Sequence, residues 1–149
     1  MANDATERAV MLFEQGYSCS QSVFAAFAPD GGLTADTALR IAGGLGGGMG
    51  RLGEVCGAVT GAILAIGLAH GATRPDDDAA KEATYTLVNE LAGRFRRRNG
   101  SVLCRELLGM SIDSADLLQR ARDEGVFGST CPGLVRAAAE IVVELLADA

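Results

Sequence analysis

The chain has 149 residues, 48% of them hydrophobic, which is one domain's length with enough apolar content to bury a core. Its formal net charge of −6 argues against a nucleic-acid surface, because phosphate binding needs a basic face. With three prolines, no Ser- or Gln-rich tract and no repeat at a fixed period, nothing marks a linker, so residues 1–149 are expected to form one domain.

In chain order, "DATERAVMLFEQG" sets Asp4 and Glu7 at capping-box spacing, with apolar Val10, Leu12 and Phe13 and a stop at Gly16. In "SCSQSVFAAFAP", Ser18 and Gln21 form another capping box, which predicts Cys19 at the first helical position and an end at Pro29. "TADTALRIAGGL" predicts a helix from about Thr34 that dissolves into six glycines between Gly43 and Gly50.

The next stretch, "EVCGAVTGAILAIGLAHG", is too long and too alanine-rich for a strand. Its uncharged run of about fifteen residues falls short of the roughly 20 that span a bilayer, so a buried core helix is expected and membrane insertion is not. Gly57, Gly61 and Ala65 recur every fourth residue, a small face that lets a neighbouring helix, in this chain or in a second copy, approach closely. "PDDDAAKEATYTLVNELAGRFRRRNG" is amphipathic: acids in the first turn, Tyr85, Leu87, Val88, Leu91 and Phe95 inward, arginines last, then Gly100. Three further helices are predicted behind Ser101, behind Ser114, and from Cys131–Pro132 to the end. Period-two strand patterning is absent, so the expected architecture is an all-α bundle of seven or eight helices, with a glycine-rich loop before the central apolar helix.

These boundaries place all four cysteines, Cys19, Cys56, Cys104 and Cys131, at helix starts. Unpaired amides and the positive dipole end there favour a thiolate over a thiol. The N-terminal stretch "MANDATERAV" lacks the basic flank and apolar run of a signal peptide, so a cytoplasmic location is expected, where cysteines seldom serve as staples. Spacings of 37, 48 and 27 residues contain no C-x-x-C, so any shared site must be assembled by tertiary structure. Plain burial of four small apolar residues is the alternative.

"CGAVTG", Cys56 to Gly61, matches the CGAxxG signature of the C-GCAxxG-C-C family of redox-active proteins. "GYSCSQSVFAAFA" before it, "GGLGGGMGRLGEV" leading into it, and "NGSVLCRELLG" and "CPGLVRAAAEIVVELL" after it extend the resemblance to about 130 residues and all four cysteines. The resemblance implies that Cys19, Cys56, Cys104 and Cys131 are the functional set, and it names no reaction. Such a domain is also similar to part of split-Soret cytochromes c, for which an iron-sulfur centre has been considered. This chain has no C-x-x-C-H, so haem attachment is not carried over.

Other motifs have plainer explanations. "GMGRLG", Gly48 to Gly53, reads as G-x-G-x-x-G, yet no strand precedes it, so its glycines are expected to take positive φ beside Cys56 rather than bind a dinucleotide. Met49 and Arg51 would then line the site, and a cation at Arg51 would favour a Cys56 thiolate, although a solvated loop arginine is the simpler assignment. His70, the only histidine, falls at a helix end with Gly71 behind it, where a capping role suffices. Asp76, Asp77 and Asp78 suit a helix start better than a calcium loop, and "RFRRR" suits a helix end better than phosphate contact.

The leading expectation is therefore a redox protein in which the four cysteines work by thiol-disulfide exchange or electron transfer, with an unidentified redox partner. If enzymatic, it is a thiol-disulfide oxidoreductase. Cys19 and Cys131 are taken as the more reactive members and Cys56 as the buried partner. Two alternatives stand beside it: an iron-sulfur or other metal site on the same four thiolates, and a non-catalytic interaction module, a homodimer included, with structural cysteines.

Overall fold

The computed structural model describes the backbone of residues 2–149 and side chains from Asp4 onward. Helix α1 (Ala2–Glu14) begins upstream of Asp4, which stands in its first turn instead of capping it. The second capping box forms as predicted. The Ser18 hydroxyl accepts from the Gln21 amide, the Gln21 side chain accepts from the Ser18 amide, and Cys19 becomes the first residue of α2 (Cys19–Phe27). Pro29 lies in a 3-10 turn (Ala28–Gly31) that ends α2, and Thr34 caps α3 (Ala35–Ala42).

Beyond the glycines, α4 (Gly57–His70) is the apolar central helix. Asp77 caps α5 (Asp78–Asn99), whose end is closed by Gly100 in the left-handed region. Two short helices follow, α6 (Cys104–Leu108) and α7 (Ala115–Asp123, capped by Ser114), and α8 (Val126–Asp148) completes the fold. Among the described residues there are eight α-helices and no β-strand, and none of the helices is long and apolar enough to cross a membrane.

Helix α4 packs against α2, α5 and α8, and α1 lies over α2 and α8. Val59 and Ile66 of α4 meet Val23, Leu91, Phe95, Val135, Ile141 and Val142 in the dry centre. The small face of α4 receives α2 of the same chain. A Cβ at Gly61 would stand 2.6 Å from the Ser20 carbonyl oxygen, and one at Gly57 would stand 3.0 Å from the Ser20 nitrogen. That face is therefore filled from within and offers no homodimer surface.

Two expectations are corrected. Tyr85 is 54% exposed, because Thr84 occupies the stripe shared by Leu87, Val88, Leu91 and Phe95, and the next residue turns about 100° away. Its ring instead carries Lys81 at 5.9 Å. The last helix starts at Val126, not at Cys131. Gly125 turns the chain with φ 69°, and Val126 and Phe127 pack beside Cys104, Leu108 and Ile112, so the preceding turn is drawn into the helix. Pro132 therefore sits inside α8, where its missing N–H frees the Gly128 carbonyl.

The basic run at the end of α5 is engaged in ion pairs: Arg94 with Glu90 and Glu144, and Arg98 with Glu140 of α8. On α4, Gly61→Ala is expected to cost about 1–3 kcal/mol by forcing α2 outward. Gly67→Ala, where an added Cβ meets nothing within 4 Å, should gain up to about 1 kcal/mol of helix propensity. Urea denaturation of both variants checks the pair.

Candidate functional site

Cys56 is the N-cap of α4 and Cys104 is the first residue of α6. Their segments are tied to each other. The Cys56 amide donates to the Val102 carbonyl (2.7 Å), and the Cys104 amide donates to the Glu54 carbonyl (2.6 Å), flanking an isolated antiparallel bridge between Val55 and Leu103. Residues 54, 56, 102 and 104 share one face of this ribbon, so both thiols are on the same side. Arg105 reinforces the tie through the Gly53 carbonyl and the Glu54 carboxylate.

The glycine run forms an element that the sequence reading did not foresee. Five consecutive residues, Gly47 to Arg51, have φ between 56° and 75°, making one turn of left-handed helix. Hydrogen bonds from the Met49 amide to the Leu45 carbonyl and from the Glu54 amide to the Gly48 carbonyl close it. A Cβ at Gly48 would stand 2.8 Å from the Cys104 Cβ and 2.7 Å from the Glu54 nitrogen, so only glycine fits beside that cysteine. Met49 and Arg51 adopt the same backbone at about 1–2 kcal/mol each. The density of glycines announces positive φ, as expected, but not a run long enough to complete a turn of the opposite hand.

One cavity of about 510 Å³ is lined by Cys19, Cys56, Cys104 and Cys131 together. The left-handed turn, α7 and the start of α8 form its walls. All four thiols are free; Cys56, Cys104 and Cys131 are buried and Cys19 is half-buried. Three of the four stand at helix starts as predicted. Cys131 does not, since it lies in the second turn of α8. Arg51 lines the cavity, but Met49 and His70 do not; the His70 carbonyl accepts from Thr84 at the far end of α4.

The electrostatics overturn the expectation that helix starts make thiolates here. Burial pushes the Cys104 thiol up to about 12, helped by the charges of Cys56 and Cys131. Burial likewise pushes Cys56 up to about 11, against the favourable pull of the Ala58 and Val59 amides. Cys19 and Cys131 face the same cavity and titrate as a pair, the S–H of one favouring charge on the other. With the proton on Cys19, Cys131 is held below the ordinary thiol value and Cys19 well above it. Cys19 interacts with all three other cysteines, which makes its sulfur the worst placed to carry charge.

As a metal centre the donor set is chemically apt, four thiols on one cavity. Their spacing does not suit a single ion: among the described residues no three His, Cys, Asp or Glu side chains are grouped to hold one.

Fold and cavity define an all-helical protein that gathers four free cysteines, distant in sequence, at one recess. The profile of the family described as "Putative redox-active protein (C_GCAxxG_C_C)" matches residues 17–145, and the chain belongs to that family. No curated protein and no solved structure matches it.

Because Cys56 and Cys104 hold protons in the folded state that the unfolded chain releases above pH 9, their contribution to stability is whole below pH 9. It is lost as pH rises toward 11 and 12. Stability to urea under reducing conditions should therefore fall above pH 9 by about 1.4 kcal/mol per pH unit for each such thiol. The slope should flatten in Cys104→Ala.

Proposed function

We propose that this protein is a thiol-disulfide redox protein whose working pair is Cys19 and Cys131. The observation that carries the reading is the gathering of all four cysteines on one cavity, where the Cys19 thiol favours the charged form of Cys131. The Cys131 thiolate attacks a disulfide, and Cys19 then resolves the mixed disulfide by attacking the Cys131 sulfur. Cys56 and Cys104 stay protonated at neutral pH and stand as a second dithiol on the same cavity.

Iodoacetamide labelling with peptide mass mapping is expected to modify Cys131 first, with a pH midpoint below the ordinary 9.0. Cys19→Ala removes that S–H and should move the midpoint upward. Cys19→Ser puts an O–H in its place and should restore part of the shift. Mild oxidation should yield a Cys19–Cys131 disulfide, and Cys131→Ser should abolish it. If labelling selects another cysteine, or the oxidised protein links a different pair, the assignment fails.

The convergence of all four thiols also favours a second reading, a polynuclear iron-sulfur cluster, whose ligands stand farther apart than those of one ion. Iron and acid-labile sulfide in matching amounts, in protein purified without oxygen, would establish it in place of the dithiol.

A further inference from the structure

The cavity that holds the cysteines has an uneven charge. No Asp, Glu or Lys lines it, while two arginines do: Arg51, on the left-handed turn, and Arg122, on α7. Both are exposed at its edge, and among the described residues neither forms an ion pair. Arg94, Arg98, Arg105 and Arg136 all meet a carboxylate; Arg40 and Arg96 form no ion pair among the described residues either, but they do not line the cavity. A chain of net charge −6 thus keeps two unneutralised cations at the opening of its thiol recess.

The recess itself limits what enters. Cys131 is only 6% exposed and Cys56 only 3%, so a disulfide on the convex surface of a folded protein does not reach them. A volume of about 510 Å³ falls within the range of small-molecule sites, roughly 300–1,000 Å³. Phe13, Tyr17 and Phe127 add apolar wall. Guanidinium groups pair with carboxylates through two parallel hydrogen bonds, a geometry that a point charge does not supply.

We infer that the oxidant of the dithiol is the disulfide of a small carboxylate-bearing thiol, held by Arg51 and Arg122 over the cysteine recess. This rests on the dithiol reading above. The Cys131 thiolate attacks one sulfur of the small disulfide, forming a mixed disulfide and expelling one small thiolate. The Cys19 sulfur then attacks Cys131, its proton passing to the second departing thiolate. The protein loses two electrons and becomes the Cys19–Cys131 disulfide, and the small disulfide gains them as two thiols.

Three symmetric disulfides of similar size test it: dithiodipropionate (anionic), hydroxyethyl disulfide (neutral) and cystamine (cationic). Each rate with the reduced protein is divided by the rate of the same disulfide with free mercaptoethanol, which removes intrinsic reactivity. The normalised rate for dithiodipropionate should exceed that for cystamine by about tenfold or more at low salt. The ratio should fall toward one in Arg51→Gln/Arg122→Gln, and part of the way in Arg122→Gln alone, which leaves the left-handed turn untouched. Equal rates, a preference for cystamine, or faster reaction with a disulfide-bonded protein than with dithiodipropionate would overturn the inference and leave the dithiol standing. Failure of all three disulfides to generate the Cys19–Cys131 bond would overturn the dithiol reading as well.

Discussion

Helix α2 lies so close to α4 that no side chain fits between them at Gly61 and little room is left at Gly57, and the cysteine site depends on that contact. Gly57 directly follows Cys56, and a Cβ built on it would stand 3.2 Å from the Cys19 Cβ. Two thiols from distant parts of the chain are thus brought together by backbone packing, with no contribution required from sulfur. The ribbon between Val55 and Leu103 then fixes Cys104 to the start of α4, and α8, docked against α2 and α4, delivers Cys131. Each cysteine reaches the cavity by a separate physical device, and the glycines of the CGAxxG stretch act mainly through the room they leave.

The site also shows which of two opposing effects prevails at a buried helix start. Amides at the beginning of α4 favour charge on Cys56, as the helix macrodipole requires, yet removal from water outweighs them and the thiol stays protonated. Of the four thiols only Cys131, which has no helix start to help it, is held below the ordinary value, because the neighbouring Cys19 thiol favours its charged form.

Much of this was legible before any coordinates. The Ser18–Gln21 box, Thr34, Asp77 and Ser114 mark helix starts because their side chains satisfy amides a few residues away, a purely local interaction. The small face of α4 was legible for the same reason: spacing alone sets which residues share it. Cys131 was misplaced because Pro132 imitates a helix start, whereas the true boundary at Gly125 is decided by what Val126 and Phe127 bury against another part of the chain. Tyr85 failed on one residue of phase. The left-handed turn and the pairing of Cys19 with Cys131 were out of reach, since the first depends on close packing against Cys104 and the second on the meeting of α2 with α8.

The Cys19–Cys131 pair joins the first half-turn of α2 to a helix at the opposite end of the chain. A covalent bond there would close a loop of roughly a hundred residues, and loops of that length remove about 4.7 kcal/mol of chain entropy from the unfolded ensemble. Oxidation would then act as a belt around nearly the whole molecule. By the same thermodynamic cycle the folded chain holds its sulfurs at high effective concentration, so the fold itself helps to set the redox potential at which the belt fastens.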